Sequence, residues 1–146
     1  MEYKIFIDTN VYLDYLIHRG NAWTEAEAVL LLAEENALDV FTSSSCILNL
    51  MYIMGTYKIE KANILSYTQT FLSYSKLISP HNEKFSMALN AGFTDPEDAV
   101  QYYTALGIKG IDYFITSNIK DYKKAMPQLP VVTPKQFMTL YKKKSW

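Results

Sequence analysis

One cysteine, Cys46, stands in a chain of 146 residues, and a single thiol excludes an intrachain disulfide and any multi-cysteine zinc site. Histidine is almost as scarce. His18 and His81 lie in polar stretches with no evident partner, so a nucleophilic triad lacks its base and both read as surface residues. The five glycines, at 20, 55, 92, 107 and 110, spell neither GxGxxG nor GxxxxGK(S/T), which removes the glycine-rich phosphate loops. No apolar run approaches the ~20 residues of a membrane span. The N-terminus passes from Met1 into an apolar strand without the basic and apolar regions of a secretory leader. The expected setting is therefore cytoplasmic, with no membrane partner. Charge of one sign is also missing: the net value is −1, which argues against broad nonspecific nucleic-acid binding.

What is present suits one globular domain spanning residues 1–146, long enough to bury roughly two thirds of its unfolded surface. Apolar residues make up 49% and charged residues 20%, so disordered and fibrous classes are excluded, and 12 tyrosines are the one compositional oddity. Neither repeats nor Pro/Gly-rich linkers divide the chain. Ile5-Phe6-Ile7 reads as a strand buried on both faces, followed by a helix from about Asn10 or Val11. Thr24 and Glu27 have capping-box spacing before a second helix, Leu38–Thr42 reads as a strand, and Ser43–Met54 as a helix with serines crowding its start. A helix over about 59–74, a strand near Leu77–Ser79 and a helix over His81–Ala91 follow. In FTDPEDAVQYYTAL, Asp95 is an N-cap, Pro96 suits the first helical position and Asp98 completes an acidic capping pair. Tyr113–Thr116 and Val131–Val132 read as strands, and Thr133 to Gln136 (TPKQ) opens the last helix with a capping box. This alternation predicts an α/β fold with a mainly parallel central sheet covered by helices on both sides.

Polar residues collect where the strands end: Asp8 after the first, Ser43–Ser45 after the second, Thr116–Asp121 after another. In open α/β sheets that is where ligands bind. Asp8 suits a metal or phosphate site, and equally a local cap of the following helix. With nucleophilic, zinc and glycine-loop chemistries removed, carboxylate chemistry remains. Asp8, Asp95, Glu97, Asp98 and Asp121 lie near strand ends or helix starts, and gathered carboxylates repel unless a cation sits among them. Hard oxygen donors of this kind suit Mg²⁺ or Mn²⁺. Asp95 is explained fully as a cap, whereas Asp98 can either complete the cap or face the strand ends. From Lys109 onward, eight lysines face two acids, Asp112 and Asp121. That basic tail reads as a solvated face or as a surface that attracts phosphates.

The order IFIDTNV, SSSCILNL, DPEDAVQYYTA, ITSNIKDY, VVTPKQF, covering Tyr3 to about Leu140, resembles the PIN domain, in particular the small VapC-like PIN ribonucleases. The resemblance implies a three-layer α/β/α sandwich and a metal-dependent endoribonuclease using Mg²⁺ or Mn²⁺. Asp8, Asp98 and Asp121 match the family's acids, and Thr116 and Asn118 match polar positions of the same site. Asn49 stands where many PIN nucleases carry glutamate; it can coordinate through its amide oxygen or merely bond backbone. The metal then depends on Asp8, Asp98 and Asp121, helped by Glu97, with Asn10, Asn49, Thr116 and Asn118 orienting ligands or water. Lys120, Lys123 and Lys124 are candidates for guiding the RNA backbone. The same resemblance implies an antitoxin and a second copy of the chain as partners. Two rivals are weighed against it: a noncatalytic PIN-fold module that binds RNA or protein, supported by Asn49, and a haloacid-dehalogenase-like phosphatase. The second expects DxDx(T/V), and Asp8-Thr9-Asn10 lacks the second acid.

Overall fold

The computed structural model describes residues 2–144. Strands β1 (Tyr3–Ile7), β2 (Leu38–Ser43), β3 (Ser75–Ile78), β4 (Tyr113–Ile115) and β5 (Val131–Val132) form one sheet in the order β3-β2-β1-β4-β5. Every strand pair is parallel. Parallel strands need crossovers, which the helices supply: α1 (Thr9–Ile17) and α2 (Trp23–Glu34) join β1 to β2, and α3 (Ser44–Thr56) and α4 (Lys61–Tyr74) join β2 to β3. Helices α5 (Asn82–Leu89) and α6 (Pro96–Leu106) lead to β4, and α7 (Pro134–Lys144) follows β5.

Strand β1 supplies both faces of the core, because successive side chains point to opposite sides of a strand. Ile5 and Ile7 join one cluster with Val11 of α1, Ala26 of α2 and Phe137 of α7. Phe6 turns the other way and packs with Tyr102 and Ala105 of α6 and with Phe114 of β4. Phe6 and Phe114 are register partners with rings stacked at 5.0 Å, and neither is exposed to solvent. Helices therefore cover both faces, as the sandwich expectation required.

Several boundaries differ from the sequence expectation, each for a local reason. Helix α1 starts at Thr9, capped directly by Asp8. Helix α2 starts at Trp23, so Thr24 is inside it and forms no capping box with Glu27; its hydroxyl donates instead to Glu25 at 2.8 Å. The start is set earlier by Ala22, whose carbonyl accepts from Ala26. Strand β3 begins at Ser75, directly where α4 ends, because register with Val40 and Phe41 places Ser75 and Lys76 in the sheet. At α7 the expected box forms: the Thr133 amide donates to Gln136 Oε1 at 2.9 Å, and the Gln136 amide to Thr133 Oγ1 at 3.1 Å.

The sheet's edges are short or charged. Strand β5 has two residues, and β3 carries Lys76, which pairs with Asp39 at 2.8 Å and lies over the Phe41 ring.

Removing the Phe114 ring leaves Phe6, Tyr102 and Tyr122 around a void. Phe114→Ala is expected to lower unfolding free energy by ~3–5 kcal/mol, read from the urea midpoint at an unchanged m-value. Ile119→Ala, at a 39% exposed position, should change it by no more than ~0.5 kcal/mol.

Candidate active site

The sheet order reverses direction at β1, since β2 lies on one side and β4 on the other. Such a switch opens a crevice beyond the strand ends. Register pairs Ile7 with Ile115, so the next residues, Asp8 and Thr116, face each other across that crevice. The Asp8 amide still donates to the Ile115 carbonyl at 3.0 Å, while its side chain takes over from the ladder.

Asp8 is only 6% exposed, and three nitrogen and oxygen donors hold its carboxylate, with the Cys46 thiol a longer contact to Oδ1 at 3.9 Å. The Thr9 amide donates to Oδ1 at 2.8 Å; the Thr116 hydroxyl and the Tyr122 phenol each donate to Oδ2 at 3.0 Å. Asn10 bonds Thr116 in turn and accepts from the Ser117 amide at 3.0 Å. Burial pushes the Asp8 carboxyl above its ordinary value, against the pull of those three donors, with Glu97 adding a smaller push.

In front of Asp8 lies a cleft of about 250 Å³ that gathers Asp8, Asp98, Asp95, Glu97 and Asn49. Helix α6 brings three of the acids because its first turn is built on DPED: Asp95 caps by accepting from the Glu97 amide at 2.8 Å, with Pro96 next. Asp98 does not close that cap; it lines the cleft instead. Its carboxyl is pushed up to about 7, first by burial and then by Asp8 and Asp95, with Asp121 a weaker contributor. Asn49, on α3, donates to Glu97 Oε1 at 3.4 Å. Arg19 also lines the cleft, but its Nε is engaged with Asp14 at 2.6 Å.

This donor set is all oxygen and carries excess negative charge, and burial together with that charge raises the affinity of Asp8 and Asp98 for protons. Both properties fit a hard divalent cation. Asp8 and Asp98 are the carboxyls of this cleft that burial and neighbouring acids push up, and so the ones suited to hold such an ion. Among the described residues, however, no three histidine, cysteine, aspartate or glutamate side chains are already gathered as a metal cage.

The remaining candidates are distributed around this centre. Thr116 contacts Asp8 directly. Asp121 lies in a 3-10 turn (Ile119–Tyr122), bonded to Asn118 Nδ2, outside the lining of the acidic cleft. Lys120 and Asn118 line an adjoining cleft, and Lys123 and Lys124 are exposed. Sequence reasoning missed Tyr122, a buried ring packed on Phe114 at 5.0 Å whose phenol reaches Asp8. It also missed Gln101, in the same lining, which accepts from Ser43. Asp14, well inside α1, is 7% exposed and held by Arg19.

The PIN domain profile matches residues 4–120 of the chain. The chain belongs to the PIN domain family. Across 142 residues it is 29% identical to a protein of Aquifex aeolicus (strain VF5) named Ribonuclease VapC1, covering 92% of each chain. The PIN fold recurs in VapBC2 of Rickettsia felis bound to a promoter DNA fragment (TM-score 0.62, 19% identity, 89% of this chain and 98% of that one). It recurs in a toxin–antitoxin complex of Klebsiella pneumoniae (TM-score 0.62, 23% identity, 89% and 97%). PAE2754 of Pyrobaculum aerophilum shares it at TM-score 0.64 and 11% identity, with 95% of each chain covered. The all-parallel five-stranded sheet flanked by helices is thus the PIN-like sandwich expected from the sequence. Among the described residues, no helix of this PIN domain is long and apolar enough to cross a membrane.

A carboxyl raised by folding gives a definite sign. Between the unfolded value of Asp98 near 4 and its folded value of about 7, the folded chain binds more protons than the unfolded one. Its contribution is complete below about pH 4 and is lost as pH rises through about 7. In metal-free protein, Asp98→Asn should therefore gain on the wild type in urea midpoint from pH 4.5 to 7.5. A constant difference between them would contradict the shift.

Proposed function

We propose that this chain is a single-domain, Mg²⁺- or Mn²⁺-dependent endoribonuclease that hydrolyses RNA phosphodiester bonds in the cytoplasm, as the toxin of a toxin–antitoxin pair. The observation that carries the reading is the pair of neighbouring carboxyls, Asp8 and Asp98, that line one acidic cleft at the sheet's switch point. Family membership and the relative named Ribonuclease VapC1 support RNA as the substrate. The VapBC neighbours support an antitoxin partner, and a homodimer belongs to the same reading.

Asp8, Asp98 and Asp121 are the proposed ion-holding acids, Asp121 completing the charge that Asp98 already senses. When bound, a divalent ion supplies charge stabilisation at phosphoryl oxygens and a more acidic water. The chain's own residues do the rest. Thr9, Thr116 and Tyr122 fix the direction of the Asp8 carboxylate, so no reorganisation is needed when charge develops beside it. Asn10 holds Thr116, and Asn118 holds Asp121. Asn49 keeps Glu97 over the cleft without adding charge, while Asp95 anchors the α6 terminus that carries Asp98. Lys120, Lys123 and Lys124 attract the RNA backbone.

A second reading, a catalytically weak or inactive PIN-fold module that binds RNA or protein, is favoured by Asn49 and by the lack, among the described residues, of a preformed cluster of three acids. Purified without a partner, the wild type should cleave RNA with Mn²⁺, and millimolar Mn²⁺ should raise its melting temperature. Asp8→Asn should lose at least ~100-fold in rate together with the thermal shift. Absence of both effects in the wild type selects the module. Asn49→Asp, which adds charge facing Glu97, should lower the metal-free melting temperature. It should also reduce the half-saturating Mn²⁺ concentration by about tenfold, since ligand charge count sets affinity.

A further inference from the structure

Beside the acidic cleft lies a second one, of about 440 Å³, and the two share Asn10 and Arg19. Their charge is opposite. The second cleft presents Arg19 and Lys120 with the amides Asn118 and Asn21; its only acid is Asp14, already paired with Arg19.

Arg19 is the chain's single arginine, and the backbone around it is shaped to aim it. Helix α1 ends at His18 in a left-handed conformation (φ 51), which turns the chain back so that the Arg19 amide bonds the Asp14 carbonyl at 3.1 Å. The His18 ring stacks on Trp23 at 3.8 Å and 8°, pinning the turn, and Gly20 follows at φ +72. Asp14 lies four residues after Asn10, hence on the same face of α1. Its buried carboxylate holds Nε, the guanidinium's only side-chain partner among the described residues. The terminal nitrogens of the fork remain for two parallel bonds to one anion, from a side chain 44% exposed. An arginine immobilised in advance loses little freedom on binding.

We infer that this second cleft binds a backbone phosphate of the RNA strand adjacent to the phosphate being cut, gripped by Arg19 and Lys120. The inference rests on the RNA-cleaving reading above. A nucleic acid carries a negative charge at every residue and can lay one phosphate in each cleft, the acidic one receiving its phosphate with a divalent ion. A protein carboxylate following the same path would be repelled by Asp8 and Asp98.

The test is fluorescence anisotropy of a 5′-fluorescein-labelled 12-nucleotide oligouridylate RNA in EDTA, so that binding is read without cleavage, across a potassium chloride series. Lys120→Gln and the double variant Asp14→Asn/Arg19→Gln, which leaves no unpaired buried charge, should each raise Kd about three- to tenfold. Each should reduce the slope of log K against log salt by ~0.7. Arg19→Lys should keep the slope but lose affinity, because an ammonium cannot fork. Lys58→Gln, at an exposed position outside both clefts, should change neither. In cleavage assays with Mn²⁺ the double variant should raise KM more than it lowers kcat. An unchanged Kd and slope in Lys120→Gln and the double variant would overturn the inference. So would an unchanged RNA Kd alongside lost binding of a fluorescein-labelled hexaglutamate peptide, which would assign the cleft to a protein. Cleavage abolished by Asp8→Asn with these binding effects absent leaves the nuclease reading standing alone; binding effects without wild-type cleavage leave the phosphate site alone.

Discussion

A carboxylate almost out of water is costly, by several kcal/mol when left unpaired, and the functional end of this sheet is organised around one. Asp8 is held by an amide from the helix it caps, a hydroxyl from the end of β4 and a phenol from the 3-10 turn beyond it. Each donor depends on a different part of the fold. The first needs the strand to stop at Ile7, the second needs the β1–β4 register, and the third needs Tyr122 seated among Phe6, Phe114 and Tyr102. Packing on one face of the sheet thereby becomes direction for a charge at its end.

How far this was legible in the amino-acid order depends on the range of each signal. Asp8 and Asp98 were readable because local grammar marks them: an apolar strand that ends in an acid, and DPED at a helix start. The order of strands and helices followed from periodicity for the same reason. Tyr122 was not readable, since its bond to Asp8 joins residues 114 positions apart and a lone aromatic between lysines and an acid gives no local sign of the strand end it reaches. Arg19 was hidden by a left-handed turn that no residue type in HRGN demands by itself. Thr24 and Glu27 show the opposite failure: a good local motif lost to a helix that had already begun two residues earlier.

Charge distribution separates the two clefts more sharply than composition suggested. A net charge of −1 conceals an acidic hollow and a basic one that share a wall of Asn10 and Arg19. Asn49 belongs to this arrangement. An acid there would add repulsion to a cleft where the Asp8 and Asp98 carboxyls are already pushed up, so the amide keeps Glu97 in place at lower electrostatic strain.

The sheet's two margins bear on how this molecule meets others. An open parallel sheet invites another chain to add a strand along its border. Here one border is two residues long, and the other carries Lys76, tied to Asp39 and laid over Phe41. Neither offers a long unpaired ladder. Association through backbone extension is thereby discouraged, and the exposed apolar side chains of the helices, such as Leu48, Tyr52 and Leu89, are left as the sticky part of the surface. To any partner this surface presents side chains rather than a free strand.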